Sequence, residues 1–186
     1  MALVRGKKCV DEVLEILEDF REVPNKIQEL VDQFDSISQL AHNLRAVKSV
    51  LFLGRNVGYP VALEGALKLK ELAYIHAEGV LLRVNLNMSQ LRWLIRTCLF
   101  LSFCRHFLDL SCTRRSLTIF RRLRHEGAQV FTIADAHDAQ AHAHATFIVD
   151  RPVVSSLLTP LLDVIPLQIF AYALATSKGL DVGQAS

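Results

Sequence analysis

Glycine and proline are scarce in this 186-residue chain, and one long stretch contains neither. The sequence has eight Gly and five Pro, and none of them lies in residues 80–126. Folded α/β chains use these residues to form turns, so a window of 47 residues without them is unusual. The same window has nine Arg, no Lys, two acidic residues and three of the four Cys. Its composition therefore differs in kind from that of the flanking sequence.

Other absences exclude whole classes of function. The formal net charge is only +2, so no basic field predicts a nucleic-acid partner. The longest apolar run, around residues 98–104, is far shorter than the about 20 residues of a membrane span, so no membrane partner is expected. Four Cys without a secretory leader favour reduced thiols. With 51% apolar residues, the sequence predicts a folded, cytoplasmic protein.

The spacing of apolar residues predicts an α/β fold of three layers that follows a helical segment. Residues 10–46 have helical periodicity, with Pro24 opening a second helix and Asp35 or Ser36 capping a third. Short apolar runs that are typical of buried parallel strands alternate with longer helical patterns. The strands are expected at residues 49–53, 129–134 and 146–149, and the later helices at residues 60–74 and 157–177.

Charged side chains recur along one face of the helix predicted for residues 60–74. Glu64, Lys68 and Glu71 stand at positions i, i+4 and i+7, which places them on one side of a helix. A carboxylate beside an ammonium suits proton transfer next to a carbonyl. The same spacing is also typical of exposed intrahelical ion pairs, and spacing alone favours that alternative. The opposite positions are apolar enough to be buried, namely Leu63, Ala66, Leu67, Leu69 and Leu72.

Residues 54–58 form a glycine-containing loop between a predicted strand and helix. Open α/β folds bind ligands at such junctions, which makes Gly54 and Arg55 candidate binding residues. The loop matches neither the dinucleotide nor the P-loop pattern, and a plain turn is the favoured alternative. Three His in residues 137–144 lack a usual zinc spacing, so we expect no metal site there but a solvated helix or loop.

Several motifs in residues 51–79 resemble one protein family. The stretch contains LGR, YPVALEGALKLKE and YIHAEG, and residues 166–182, PLQIFAYALATSKGLDV, extend the likeness. Together they resemble the C-terminal sugar isomerase (SIS) subdomain of glutamine–fructose-6-phosphate aminotransferase, a family that makes glucosamine 6-phosphate. On this resemblance residues 1–48 are a helical connector between two SIS halves. Residues 49–186 are then the C-terminal SIS domain, which residues 80–126 interrupt.

The resemblance implies a Rossmann-like SIS fold with a parallel sheet and a phosphosugar ligand of the fructose 6-phosphate class. Glu71 aligns with the family's Glu that moves a proton between C1 and C2 of the open-chain sugar, and Lys68 with the Lys that assists it. Glu64, Gly54 and Arg55 are then expected to bind substrate. No metal and no organic cofactor is expected, because the carbonyl itself acidifies the neighbouring proton. Family members dimerise through this half, which makes a homodimer a further expectation.

Two positions depart from the family pattern. Asn87 stands at the place of the ring-opening His, and the sequence reads DVGQAS where the family tail continues to a Lys that contacts substrate. The glutaminase domain and the first SIS half have no counterpart in these 186 residues. We therefore expect the chain alone not to catalyse amination. A non-catalytic phosphosugar-binding module and a non-functional fragment are the alternatives.

Residues 80–126 have a genetic interpretation. Family-like segments written as codons and read one base later yield residues 82–88, 98–106 and 112–126 in the correct order. Our hypothesis is that this window is the family's own gene read in a shifted frame, and a divergent insert with an Arg-rich helix is the alternative. On this hypothesis the window is non-native and removes a central strand of the sheet.

Overall fold

The computed structural model describes residues 10–81, 98–102, 125 and 128–183. Its helices are α1 (Val10–Val31), α2 (Phe34–Asn43), α3 (Gly58–Ala73), α4 (Ala139–His144) and α5 (Thr159–Ser177). Its strands are β1 (Ser49–Gly54), β2 (His76–Leu81), β3 (Cys98–Ser102), β4 (Val130–Asp135) and β5 (Phe147–Arg151). Most of residues 80–126, including Asn87, therefore lies outside the described residues.

The five strands form one parallel sheet in the order β2-β1-β3-β4-β5. In its centre Leu53 of β1 pairs with Val80 on one side and with Leu101 on the other. The chain moves outward from β1 to β2 and then returns to place β3 on the other side of β1. The carboxyl ends of β1 and β3 therefore form the switch point where open parallel sheets bind ligands. The expected α/β class with a parallel sheet is confirmed.

Helix α5 is the centre of the helical layer, against which α1, α2 and α3 all pack. Phe170, Ala171 and Leu174 are at most 1% exposed, because the helix is apolar on nearly every side. By length and composition α5 could also cross a membrane, but 56% of its apolar window is buried inside the protein. A helix that is apolar all round and covered by other helices is typical of a protein core.

The prediction that Pro24 opens a second helix is wrong, because α1 runs through it from Val10 to Val31. Proline in a helix interior removes one backbone hydrogen bond. Contacts on both sides of Pro24 offset that loss. Lys26 Nζ lies 3.2 Å from Asp19 Oδ1, and both side chains also bind the segment after β5. Lys26 Nζ donates to the Val153 oxygen at 2.8 Å, and Asp19 Oδ2 accepts from the Ser155 nitrogen at 2.7 Å.

The start of α2 also differs from its prediction. The helix begins at Phe34, before both expected caps, and its first residue follows Gln33, whose side chain makes no capping hydrogen bond. Ser36 Oγ instead donates to the Gln33 carbonyl oxygen at 2.8 Å. The hydroxyl therefore bonds a carbonyl within the first turn rather than an amide at the helix end.

The prediction that residues 80–126 remove a central strand is wrong. Strand β3 lies between β1 and β4 and is parallel to both. Strands inside a parallel sheet are typically nearly continuous apolar runs, and the sequence CLFLS is one. Strand β2, which ends inside the window at Leu81, was not predicted at all.

A buried ion cluster joins the far edge of the sheet to the helical layer. Arg151, at the end of β5, is only 2% exposed. Its Nη1 atom donates to Asp163 Oδ1 of α5 at 3.0 Å, and its Nε donates to Asp135 Oδ1 of β4 at 3.1 Å. Asp163 is fully buried, so its charge depends on this guanidinium. The cluster therefore ties together β4, β5 and α5.

We predict that Arg151→Met destabilises the fold by about 3–5 kcal/mol, because it leaves the Asp163 carboxylate buried without its cation. The double variant Arg151→Met/Asp163→Leu should recover part of that loss, since it removes the fully buried Asp163 carboxylate, while Asp135 still lacks its cation. Urea denaturation followed by circular dichroism measures both free energies of unfolding. A single-variant cost below about 1 kcal/mol would contradict the assigned role of the cluster.

Candidate functional site

The structure brings Glu64, Lys68 and Glu71 together on the exposed side of α3. Lys68 Nζ lies 3.0 Å from Glu71 Oε2 and 3.7 Å from Glu64 Oε1. The side chains of Glu64, Lys68 and Glu71 are 38%, 31% and 49% exposed, so water or a ligand can reach each of them. One ammonium is thus shared by two carboxylates along one face of the helix, as the spacing predicts.

Small residues on the opposite face fix the orientation of α3. Ala66 and Leu69 are buried as predicted, and Gly65 lies in the same face. A Cβ atom on Gly65 would lie 2.8 Å from Leu167 Cδ1, so a larger residue there would require the Leu167 side chain to shift. Leu63 and Leu67 were also expected to be buried, but they are 44% and 42% exposed because they flank this narrow face.

The loop at residues 54–58 lies at the carboxyl end of β1, beside the switch point, but it is a tight turn. The Gly58 nitrogen donates to the Arg55 oxygen at 2.8 Å, and the Tyr59 nitrogen donates to the Asn56 oxygen at 3.2 Å. A Cβ atom on Gly54 would overlap the Gly58 carbonyl, so the turn itself requires glycine there. Two backbone amides that could bind an anion are already used, which favours the plain-turn alternative.

The candidate residues divide into two groups along α3. A helix rises 1.5 Å per residue, so Glu71 lies about 20 Å from the start of α3 at Gly58. Gly54 and Arg55 precede that start. The backbone of the loop is therefore far from Glu71 along the helix axis. The proton-transfer candidates Lys68 and Glu71 therefore lie together, well separated from the loop.

The last turn of α3 has two features that sequence reasoning did not connect with the site. Lys178, just after α5, donates from Nζ to the Ala73 carbonyl oxygen at 3.4 Å. Tyr74 ends the helix with a φ of +51°, which is strained for an aromatic residue. Lys178 is recognisable in the sequence as a basic residue at a helix end. Its position beside α3 depends on how the two helices pack, which the sequence pattern does not specify.

The neighbouring carboxylates raise the pKa of Lys68. The pKa of Lys68 is raised above its ordinary 10.5, first by the hydrogen bond with Glu71 and then by the negative charges of Glu71 and Glu64, while burial acts in the opposite direction. Lys68 is therefore an ammonium at neutral pH and cannot accept a proton there. The cluster offers carboxylates as proton acceptors and Lys68 as a fixed positive charge.

The His-rich segment does not form a metal site within the part of the chain that the structure describes. No three His, Cys, Asp or Glu side chains lie close enough together to hold an ion among those residues. His142 of α4 instead lies 3.0 Å from Asp150 Oδ1 of β5, and both side chains are partly exposed. This pair joins α4 to the neighbouring strand.

Curated relatives match almost the entire chain. Glutamine–fructose-6-phosphate aminotransferase [isomerizing] of Corynebacterium efficiens is 43% identical over 184 residues, which are 99% of this chain and 30% of that protein. The enzyme of the same name from Mycobacterium tuberculosis is 39% identical over 98% of this chain and 29% of its own length. The chain thus spans about three tenths of these relatives. No model of a protein family matches it.

Solved structures show the same fold. The C-terminal domain of glucosamine-fructose-6-phosphate aminotransferase from Francisella tularensis superposes with a TM-score of 0.82 at 22% identity, over 97% of this chain and 50% of that one. Tagatose-6-phosphate ketose/aldose isomerase from Escherichia coli gives a TM-score of 0.70 at 18% identity, over 87% and 45% of the two chains. The chain therefore has the SIS fold and matches the C-terminal portion of glutamine–fructose-6-phosphate aminotransferases at about 40% identity.

Proposed function

We propose that the chain binds a phosphosugar of the fructose 6-phosphate class, with its reacting carbons against Lys68 and Glu71 of α3. The contact of 3.0 Å between Lys68 Nζ and Glu71 Oε2 on an accessible helix face carries this proposal. The names of the relatives support the substrate class, since they specify fructose 6-phosphate and isomerisation. A structural neighbour named as a tagatose-6-phosphate ketose/aldose isomerase supports a sugar-phosphate ligand on this fold.

Glu71 is the proposed acid and base for moving a proton between C1 and C2 of the open-chain sugar. Its carboxylate is 49% exposed, so a substrate carbon can approach it. A carboxylate in this position can accept a proton from the substrate carbon. The Lys68 ammonium can stabilise negative charge that develops on the sugar oxygen during proton removal. No metal or organic cofactor takes part in this proposal.

Glu64 has a separate proposed role in substrate binding. Its Oε1 lies 3.7 Å from Lys68 Nζ, which is longer than the contact that Glu71 makes. Glu64 lies two turns before Glu71 on the same face, within reach of a different part of the sugar. A carboxylate there can accept hydrogen bonds from sugar hydroxyls.

We do not propose that this chain alone catalyses the complete amination. A non-catalytic phosphosugar-binding module remains an alternative, but residues 54–58 carry no hydroxyl, and the amides of Gly58 and Tyr59 bond within the turn. A non-functional fragment is the other alternative. A test of ligand binding by the folded chain distinguishes the non-functional fragment from the proposed site and from the non-catalytic binding module, because only the last two bind a phosphosugar.

We expect fructose 6-phosphate to raise the thermal unfolding midpoint, because a ligand that binds only the folded state stabilises it. At about 100 times its dissociation constant a ligand adds roughly 2.7 kcal/mol, which thermal-shift measurements detect readily. Fructose and inorganic phosphate serve as controls for the sugar and the phosphate alone. A midpoint that does not move at millimolar fructose 6-phosphate would support the non-functional fragment.

Glu71→Gln should lower the exchange of the sugar's C1 hydrogen with heavy water by roughly 100-fold or more, the usual contribution of a general base. Proton NMR of fructose 6-phosphate in heavy water measures the exchange. Glu64→Gln is the matched control and should lower it less, because Glu64 is assigned to binding. If wild type and Glu71→Gln exchanged equally fast, Glu71 would not be the base, although binding could persist.

The pKa of Lys68 should fall toward 10.5 in Glu71→Gln, because the hydrogen bond with Glu71 is the largest cause of its elevation. Glu64→Gln should lower that pKa less, since the Glu64 contributions are the smaller ones. The ion-pair stabilisation should persist throughout neutral pH and disappear as pH rises through the folded-state pKa. NMR titration of the Lys68 side chain in the wild type and in both variants measures these pKa values. If the pKa of Lys68 fell further in Glu64→Gln than in Glu71→Gln, Glu71 would not be the main partner of Lys68.

A further inference from the structure

Tyr74 ends α3 in a backbone conformation that tyrosine rarely adopts. Its φ is +51° and its ψ is +37°, which lie in the left-handed region that favours glycine. Helix α5 ends with the usual residue, since Gly179 follows it at a φ of +74°. Both helices thus end with a left-handed residue, but only α5 uses glycine for it. The conformation is unfavourable for every residue that has a Cβ atom.

The path of the chain from α3 into β2 requires this conformation. Ala73 and Ile75, on either side of Tyr74, are 0% and 3% exposed, so the backbone turns into the sheet within a single residue. The nitrogens of Tyr74 and Ile75 both donate to the Leu69 carbonyl oxygen. Lys178 Nζ donates to the Ala73 carbonyl oxygen at 3.4 Å. These contacts hold Tyr74 in the left-handed region, as the surroundings of a strained residue must.

Burial of the ring does not account for a tyrosine at this position. Tyr74 is 68% exposed, so most of the residue is accessible to water and gains little from packing. Glycine would make the same turn without strain, and asparagine would make it at less cost than tyrosine. Strained residues concentrate at functional sites, where the side chain serves something other than stability. The exposed ring of Tyr74 therefore indicates a binding role.

Tyr74 lies next to the proposed acid and base of α3. It follows Glu71 by three residues, and Cα atoms three residues apart along an α-helix are about 5 Å from each other. A tyrosine side chain is longer than this separation, so a ligand that touches the Glu71 carboxylate lies within its reach. Tyrosine combines an apolar ring with a hydroxyl that donates and accepts hydrogen bonds. This combination suits the C–H groups and hydroxyls of a sugar.

We propose that Tyr74 binds the sugar part of the phosphosugar, with its ring against the carbons and its hydroxyl bonded to a sugar hydroxyl beside Glu71. This inference rests on the proposed function, because it takes Glu71 to contact the same ligand. It assigns the strained end of α3 to substrate binding, and it gives Glu71 a neighbour that orients the reacting carbons.

The charges around Tyr74 favour a sugar over a protein partner. Lys70 and Glu71 are exposed in the last turn of α3, and the side chains of His76 and Glu78 on β2 are both 61% exposed. The centres of protein interfaces are depleted in charged residues. A single aromatic ring among charged side chains instead suits a ligand that is itself polar and offers only a few C–H groups.

Amide NMR titration with fructose 6-phosphate and thermal unfolding of the same variants test the proposal. Tyr74→Gly should weaken binding at least tenfold and raise the unfolding midpoint by about 2 °C, because it removes the ring and the strain together. Tyr74→Ala should weaken binding equally without raising the midpoint, because alanine is strained in the same conformation. Tyr74→Phe should keep part of the affinity, since it loses only the hydroxyl.

Tyr172→Ala is the matched control, because Tyr172 is 46% exposed on α5 and its ring lies 6.4 Å from that of Phe34 on α2. It should change the dissociation constant less than twofold. If the wild type and Tyr74→Gly bound fructose 6-phosphate equally well, this inference would be wrong and the proposed function would stand. If the wild type did not bind, both would be overturned. A midpoint that fell in Tyr74→Gly would also overturn the inference, since the tyrosine would then serve the fold.

Discussion

The close packing of α3 between the sheet and α5 is the constraint on which the candidate site depends. Gly65 contributes to it, since a Cβ atom there would lie 2.8 Å from Leu167 Cδ1 and 3.0 Å from Phe52 Cε1, and these side chains would have to shift. Gly65, Ala66 and Leu69 are buried on this narrow face, which packs against the core. Glu64 and Glu71 therefore face water on the opposite side, with Lys68 between them. The exposure of the charged face of α3 therefore depends on the small residues that pack its opposite face against the core.

Local patterns were sufficient to predict most of the regular elements. Apolar runs predicted β1, β4 and β5 to within a few residues, because buried parallel strands need continuous apolar side chains. Helical periodicity predicted α3 and α5, and the positions of Glu64, Lys68 and Glu71 on one face. These predictions succeeded because they depend on residues that are near one another in the sequence.

Predictions failed where distant contacts decide the outcome. Helix α1 continues through Pro24 because Asp19 and Lys26 bind residues more than 120 positions away. The same limit applies to Lys178, whose contact with the end of α3 joins residues 105 positions apart. The spacing of apolar and polar residues within one segment does not indicate contacts with distant segments. The family resemblance supplied the proposed roles of Lys68 and Glu71, which spacing alone had assigned to surface ion pairs.

The central strand β3 forms inside the window of unusual composition at residues 80–126. Strand β3 needs only the apolar run at residues 98–102 and neighbours on both sides, so an altered composition can still fill its place in the sheet. The match with the Corynebacterium efficiens enzyme spans 184 residues and 99% of the chain, so the alignment passes through the window. The shifted reading frame stays a hypothesis for this window, and the divergent insert stays its alternative.

The geometry of α3 also restricts what one chain can contribute to a phosphosugar site. About 20 Å of helix rise separates the start of α3 from Glu71, so the residues proposed for proton transfer lie at the opposite end of the helix from the loop after β1. Near that end, Lys178 is a described cation that could pair with a phosphate, and it already donates to the Ala73 carbonyl oxygen. An ammonium has three donors, so this contact leaves two for a ligand. In the proposed function, Lys68, Glu71 and a partner for the phosphate can therefore all lie at the end of α3.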